Sequence, residues 1–219
     1  MISPDDDDEG TVFAADASTP SDVATFFTDN YPHLTSAETS AINTEYPLMP
    51  PLPLHAAYFP SAAAAYGEAT FTCPGLFISN SFATALSPYK VWNYRFNVHS
   101  TVLDALGLGV YHTFEIIPIF GVGSVGETAD QDLATGYTTY NADIIPVVMN
   151  YWISFVRDLS PNRYKYPSAP HWESFGDGKN GGRRIVLQSN GTTSEMEVVP
   201  AAQVKRCAFW KGLAVVMEQ

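Results

Sequence analysis

The sequence predicts an α/β protein, and three stretches carry that reading. From Val91 to Val98, apolar and aromatic side chains at 92, 94, 96 and 98 alternate with polar ones at 93, 95 and 97, the period-2 pattern of a strand. From Asp143 onward, apolar residues fall at 144, 145, 148, 149, 152, 153, 155 and 156, close to helical spacing. This predicts a mostly buried helix that ends before Pro161. Arg184 to Gln188 and Glu195 to Val199 read as two short strands around the Asn190-Gly191 turn, a hairpin with a loop longer than two residues.

The other elements follow in order. After an acidic start and the short apolar run Thr11-Val12-Phe13, Ser21 is expected to cap a helix through Asp22 to Asn30, closed by Pro32. A second helix is expected from Thr35 to about Glu45, ended by the loop that carries Pro47, Pro50, Pro51 and Pro53. The alanine-rich run from Ser61 reads as helix, with an interruption near Cys73-Pro74-Gly75 and a continuation to about Leu86. A last helix fits Ala201 to Met217.

Composition narrows the function classes. The 219 residues carry a formal net charge of −12, which favours a soluble protein and disfavours nucleic acid or an anionic membrane as partner. With 46% hydrophobic and 16% charged residues the chain can bury a core as one domain, or as part of a larger one. The apolar-leaning stretches Ala105–His112 and Ile144–Phe155 are shorter than the roughly 20 residues of a membrane-spanning helix, so no transmembrane segment is expected. The start, Met-Ile-Ser-Pro and then Asp5 to Asp8 and Glu9, has neither the basic nor the apolar region of a secretory signal. Cys73 and Cys207, 134 residues apart, are too distant for a zinc knuckle or a CxxC pair. By themselves they read as two free thiols or one long-range disulfide. Asn190-Gly191-Thr192 is a glycosylation sequon, which leans towards an exported, disulfide-bearing chain.

Several motifs fail on their own chemistry. Gly121-Val122-Gly123-Ser124-Val125-Gly126 matches GxGxxG, but the carboxylates Glu127, Asp130 and Asp132 follow where a pyrophosphate would sit, so no dinucleotide cofactor is expected. Ser124 nearly fits GxSxG, except that Val122 puts a branched side chain where the strained nucleophile turn needs a small one, and no other serine fits. The Asp5–Asp8 run lacks the ligand order of a calcium loop. The five histidines, at 33, 55, 99, 112 and 171, show no zinc-ligand spacing, so no metal is expected. Two residues stand out. Glu9 precedes Gly10-Thr11 and an apolar run, as a carboxylate at the end of a structured turn would. His112 lies in the glycine-led stretch Gly109-Val110-Tyr111-His112-Thr113-Phe114-Glu115.

Taken together, these segments resemble the type-B carboxylesterase/lipase family, which includes the cholinesterases and many secreted fungal esterases and lipases. Asp8-Glu9-Gly10-Thr11-Val12-Phe13 resembles the segment around the family's catalytic acid. The stretch from Gly109 through His112 to Pro118-Ile119-Phe120-Gly121 resembles its catalytic-histidine loop. Asn150 to Phe155, continuing to Asp158, Pro161 and Asn162, is similar to the helix after that loop, and Cys207-Ala208-Phe209-Trp210 to the closing segment. Tyr111 departs from the proline that many members carry before the histidine.

The resemblance implies the C-terminal half of an α/β-hydrolase fold, a partial central sheet flanked by helices, over residues 1–219. It implies Glu9 and His112 as catalytic acid and base, a Cys73–Cys207 disulfide, an extracellular setting with Asn190 glycosylated, an ester substrate and no cofactor. Family members are about twice as long, and their N-terminal half holds the oxyanion glycines and the serine elbow in the order serine, acid, histidine. The nucleophile is therefore expected from elsewhere, on a complementary N-terminal half, and the chain alone is expected to be inactive. The alternative is a catalytically inactive esterase-like protein or a cholinesterase-like interaction module. Acyl and alcohol specificity stay open: Tyr31, Phe59, Phe71, Phe77, Phe82 and Phe114 are candidates for an apolar pocket, though large aromatics of this kind mostly belong to the core.

Overall fold

A computed structural model describes residues 2–3, 9–110, 112–124, 131–176, 182–189 and 194–218. The Asp5–Asp8 run, Tyr111, Val125 and Gly126 of the GxGxxG stretch, and the sequon at Asn190 lie outside the described residues.

The sheet is mixed and small. Strand β1 (Ile2–Ser3) runs parallel to β2 (Trp92–Asn97), pairing Ile2 with Trp92 and Ser3 with Asn93. Strand β2 in turn runs parallel to β3 (Arg183–Gln188), from Tyr94 opposite Ile185 to Asn97 opposite Gln188. Strand β4 (Glu195–Val198) closes the order β1-β2-β3-β4 as the antiparallel partner of β3, the expected hairpin. Alternation in β2 is imperfect for a physical reason. Asn93 is as buried as Trp92 and Tyr94, because its amide donates to Ser79 Oγ at 3.2 Å and its carbonyl accepts from Trp172 Nε1 at 3.0 Å. Both faces of the strand's first half are covered, and the Asn93 side-chain nitrogen and backbone carbonyl are satisfied internally, while its buried Oδ1 has no hydrogen-bond partner among the described residues.

Helices α1 (Pro20–Asn30) and α2 (Ser36–Glu45) each open on a capping box, Thr19 with Asp22 and Thr35 with Glu38. The cap of α1 is thus Thr19 and not Ser21: Pro20 takes the first helical position, where a missing N–H costs nothing. Helix α3 (Phe59–Gly67) passes through a π-turn (Glu68–Thr72) directly into α4 (Cys73–Ala85). The interruption expected at Cys73-Pro74-Gly75 therefore lies one turn earlier. The wider turn ends with the Cys73 N–H bonded to the Glu68 carbonyl and opens the hydrogen-bond ladder ahead of Pro74, so the ring sits in the first turn of a new helix without a clash.

After β2 come three short helices, α5 (Thr101–Ala105), α6 (Ile116–Phe120) and α7 (Gln131–Thr138). The long helix α8 (Ile144–Asp158) follows, where the spacing predicts it. It buries Ile144, Val147, Val148 and Tyr151, and its aromatics meet the sheet edge-on: Trp152 against Tyr94 at 5.1 Å and Phe155 against Trp92 at 5.8 Å between centroids. Beyond it, Asn162 bridges to Trp172 by two 2.8 Å hydrogen bonds. Helix α9 (Ala201–Leu213) is shorter than expected, and residues 214–218 form turns.

The core has two parts. One lies between the helices, around Phe27, Ile42, Ala65, Cys73 and Trp210; the other lies between sheet and α8, around Phe96, Phe114, Tyr151, Trp172 and Ile185. Cys73 and Cys207 are bonded, with their Cα atoms 5.1 Å apart, and the disulfide sits in the first part.

Candidate active site

Glu9 opens a 3-10 turn (Glu9–Val12) that packs on α3 backbone to backbone. A Cβ on Gly10 would lie 1.9 Å from the Ala63 carbonyl oxygen and 2.7 Å from the Gly67 nitrogen, so only glycine permits this approach. The close seat leaves Glu9 5% exposed. Thr11 ties the same turn to the loop after β2, donating from Oγ1 to the Leu108 carbonyl at 2.8 Å.

His112 comes from that loop, between α5 and α6. Gly107 bends it with φ +70°, at a point where a Cβ would strike the Pro53 carbonyl oxygen at 2.4 Å. Thr113 adopts φ 74°, left-handed backbone that a β-branched residue takes only under constraint. The Phe114 side chain is buried, and its carbonyl accepts from Tyr137 Oη at 2.9 Å. The histidine is held between these fixed points, and its side chain remains 35% exposed.

The two meet across 103 residues of sequence, with His112 Nδ1 3.5 Å from Glu9 Oε1. An ionised carboxylate only accepts, so this pairing favours the proton on Nδ1 and leaves the Nε2 lone pair as the basic site. The separation is long for a hydrogen bond, as acid–base pairs often are before substrate draws them together. Two aromatic rings confine the imidazole. Phe71, from the π-turn, lies 4.7 Å from it between centroids at 31°, and Phe13 lies 5.5 Å away at 60°.

The other candidates disperse. Ser124 Oγ donates to the Gly121 carbonyl at 2.6 Å on the surface. His33 pairs with Glu218, His55 with Asp16, and His99 with Asp104. Among the described residues no cluster of three His, Cys, Asp or Glu side chains could hold a metal. No helix among them is long and apolar enough to cross a membrane. Of the aromatic pocket candidates, Phe59 and Phe114 are core, Phe82 is exposed, and Phe77 lines a groove with Ile78 and Trp210. A cavity of about 290 Å³ borders Glu9, Gly10, Glu68 and Gln203. It is lined by Glu9 and not by His112.

Residues 6–210 match the sequence model of the carboxylesterase family. The chain belongs to that family. The carboxylesterase chain is also similar in structure to EstA of Aspergillus niger, with 49% identity and a TM-score of 0.92 over 100% of this chain and 40% of that one. Two curated relatives from Rattus norvegicus are more distant. Carboxylesterase 1C is 26% identical over 150 residues, 68% of this chain and 24% of its own length. Liver carboxylesterase B-1 is 23% identical over 151 residues, 67% and 23% respectively. The chain spans less than half the length of each of these proteins. Its fold is the α/β-hydrolase fold expected from the resemblance, present here in part. What sequence reasoning did not find in this candidate site is the way the histidine is held. Phe71 was only a pocket candidate, and the strained Thr113 carries no sequence signal at all.

Proposed function

We propose that this chain supplies the acid and base of a serine carboxylic-ester hydrolase, and that the nucleophile and oxyanion donors come from outside these residues, on a complementary N-terminal portion. The observation that carries the reading is the buried Glu9 carboxylate set against Nδ1 of a partly exposed His112. In the complete site the imidazole Nε2 takes the proton of the serine hydroxyl as it attacks the ester carbonyl, and returns it to the leaving alkoxide. Glu9 keeps the ring in the Nδ1–H tautomer and stabilises the imidazolium formed on the way. The chain's own serines do not answer for the nucleophile, since none sits in a GxSxG turn, and the chain alone is expected to turn over no ester.

The family supports an ester substrate; its acyl and alcohol parts stay open. The buried disulfide supports maturation in an oxidising compartment, and with it an extracellular setting and a glycan at Asn190. The test is a chimera in which these 219 residues replace the matching segment of EstA, assayed on a short-chain p-nitrophenyl ester beside intact EstA. We expect hydrolysis by the chimera, a fall of about 10³-fold or more in kcat with His112→Ala, and a smaller fall of about 10²-fold or more with Glu9→Gln. A folded chimera without activity, or one indifferent to His112→Ala, would overturn the reading and favour a non-catalytic interaction module.

A further inference from the structure

We propose that Phe71 is a positioning residue for His112, and that the π-turn exists in this helix to deliver it. The inference rests on the reading of His112 as the base. An imidazole held at one nitrogen by a single carboxylate contact can still rotate about its Cβ–Cγ bond. In this structure the rotation is opposed by a ring lying over its face, 4.7 Å away and tilted by only 31°, while Phe13 closes the edge. Phe13 and Phe71 also touch each other at 5.6 Å, and Tyr66 packs on both, so the imidazole adds to an aromatic cluster that already has its own contacts.

The placement of Phe71 is unusually well determined. A π-turn holds one residue more than an α-turn, and here it is fixed at three of its positions or immediate neighbours. Glu68, at its start, accepts from Tyr46 Oη at 2.6 Å and from Arg206 Nε and Nη2 at 2.7 and 2.5 Å. Thr70 Oγ1 meets Tyr31 Oη at 3.1 Å. Cys73, just beyond it, is bonded covalently to Cys207. Phe71 lies between these anchors, so its ring is presented to His112 by a segment that cannot easily shift. The consequence is that the face of the imidazole is set by α4 and α9, and its nitrogen by the turn that carries Glu9. Together they leave one orientation in which Nδ1 faces the acid and Nε2 faces away from it.

The experiment reads the ring directly. In the full chain with ¹⁵N-labelled histidine, the His112 Hε1 and Hδ2 resonances are expected to show the ring-current displacement of a proton near an aromatic face, and the ring nitrogens a predominant Nδ1–H tautomer. Phe71→Leu and Phe71→Met keep apolar volume without a ring and are made in parallel, so that one folded variant suffices by circular dichroism. Either should lose the displacement and move the tautomer ratio towards that of free histidine, and Phe71→Tyr should restore both. In the EstA chimera the same substitutions should lower kcat about tenfold at unchanged KM, the mark of a lost orientation rather than lost binding. Unchanged His112 resonances in a folded Leu or Met variant would overturn the proposal whatever the chimera does. An inactive chimera whose resonances still respond to Phe71 would count instead against the ester-hydrolase reading.

Discussion

Gly10 sets the depth at which the acid sits. Because the obstacle to a side chain there is the backbone of α3 and not a movable group, Gly10→Ala has no cheap relaxation. We expect it to cost about 3 kcal/mol in urea unfolding of the full chain. Gly123→Ala is the control, since a Cβ there meets nothing within 4 Å, and it should change little. At this scale the sequence was legible where a residue's chemistry travels with its neighbours: Glu9 before Gly10, His112 after Gly109. The positive φ of Thr113 was illegible, because threonine has no preference for that backbone; the surrounding anchors impose it.

Elements were read from periodicity and punctuation, and both worked where local forces dominate. The capped helices α1 and α2, strand β2 and helix α8 lie within a few residues of their expected bounds. The π-turn was not foreseen, and the contacts that flank it are tertiary: Glu68 pairs with Arg206, and Cys73 is bonded to Cys207. The same kind of buried pairing ties the hairpin to the helices. Glu197 on β4 accepts from Arg95 Nε at 3.0 Å and from Arg184 Nε at 2.6 Å, and Arg184 Nη2 donates on to Gln203 of α9 at 2.9 Å. Burial acts to raise the pKa of Glu197, but the hydrogen bonds and charges of Arg95 and Arg184 outweigh it, and the net direction is down from 4.5. A depressed carboxylate stabilises the fold fully above its unfolded pKa and loses that contribution as pH falls through the folded value. Glu197→Gln should therefore cost on the order of 1–3 kcal/mol near neutral pH, and the gap to the parent chain should close as pH falls below about 4.5. Urea unfolding across a pH series checks it; a gap that stays constant with pH would contradict the ion-pair account.

At the scale of the whole molecule, the disulfide is a long-range covalent tie that joins two residues of the helical part of the core. Closing a loop over a 134-residue separation is worth about 5 kcal/mol on the chain-entropy account. The bond also draws a topological boundary. His112, strands β2 to β4 and helix α8 all lie inside the closed ring of chain between Cys73 and Cys207, whereas Glu9 is on the arm outside it. A cut anywhere in that ring opens it without releasing either piece. Tryptic cleavage after the exposed Arg163 should leave one species of undiminished size on a non-reducing gel and two fragments once thiol is added. Inside an oxidising compartment, then, a nick within the ring would leave both pieces tethered until the bond is reduced, whereas a nick between Glu9 and Cys73 would free the arm that carries Glu9 whatever the state of the bond.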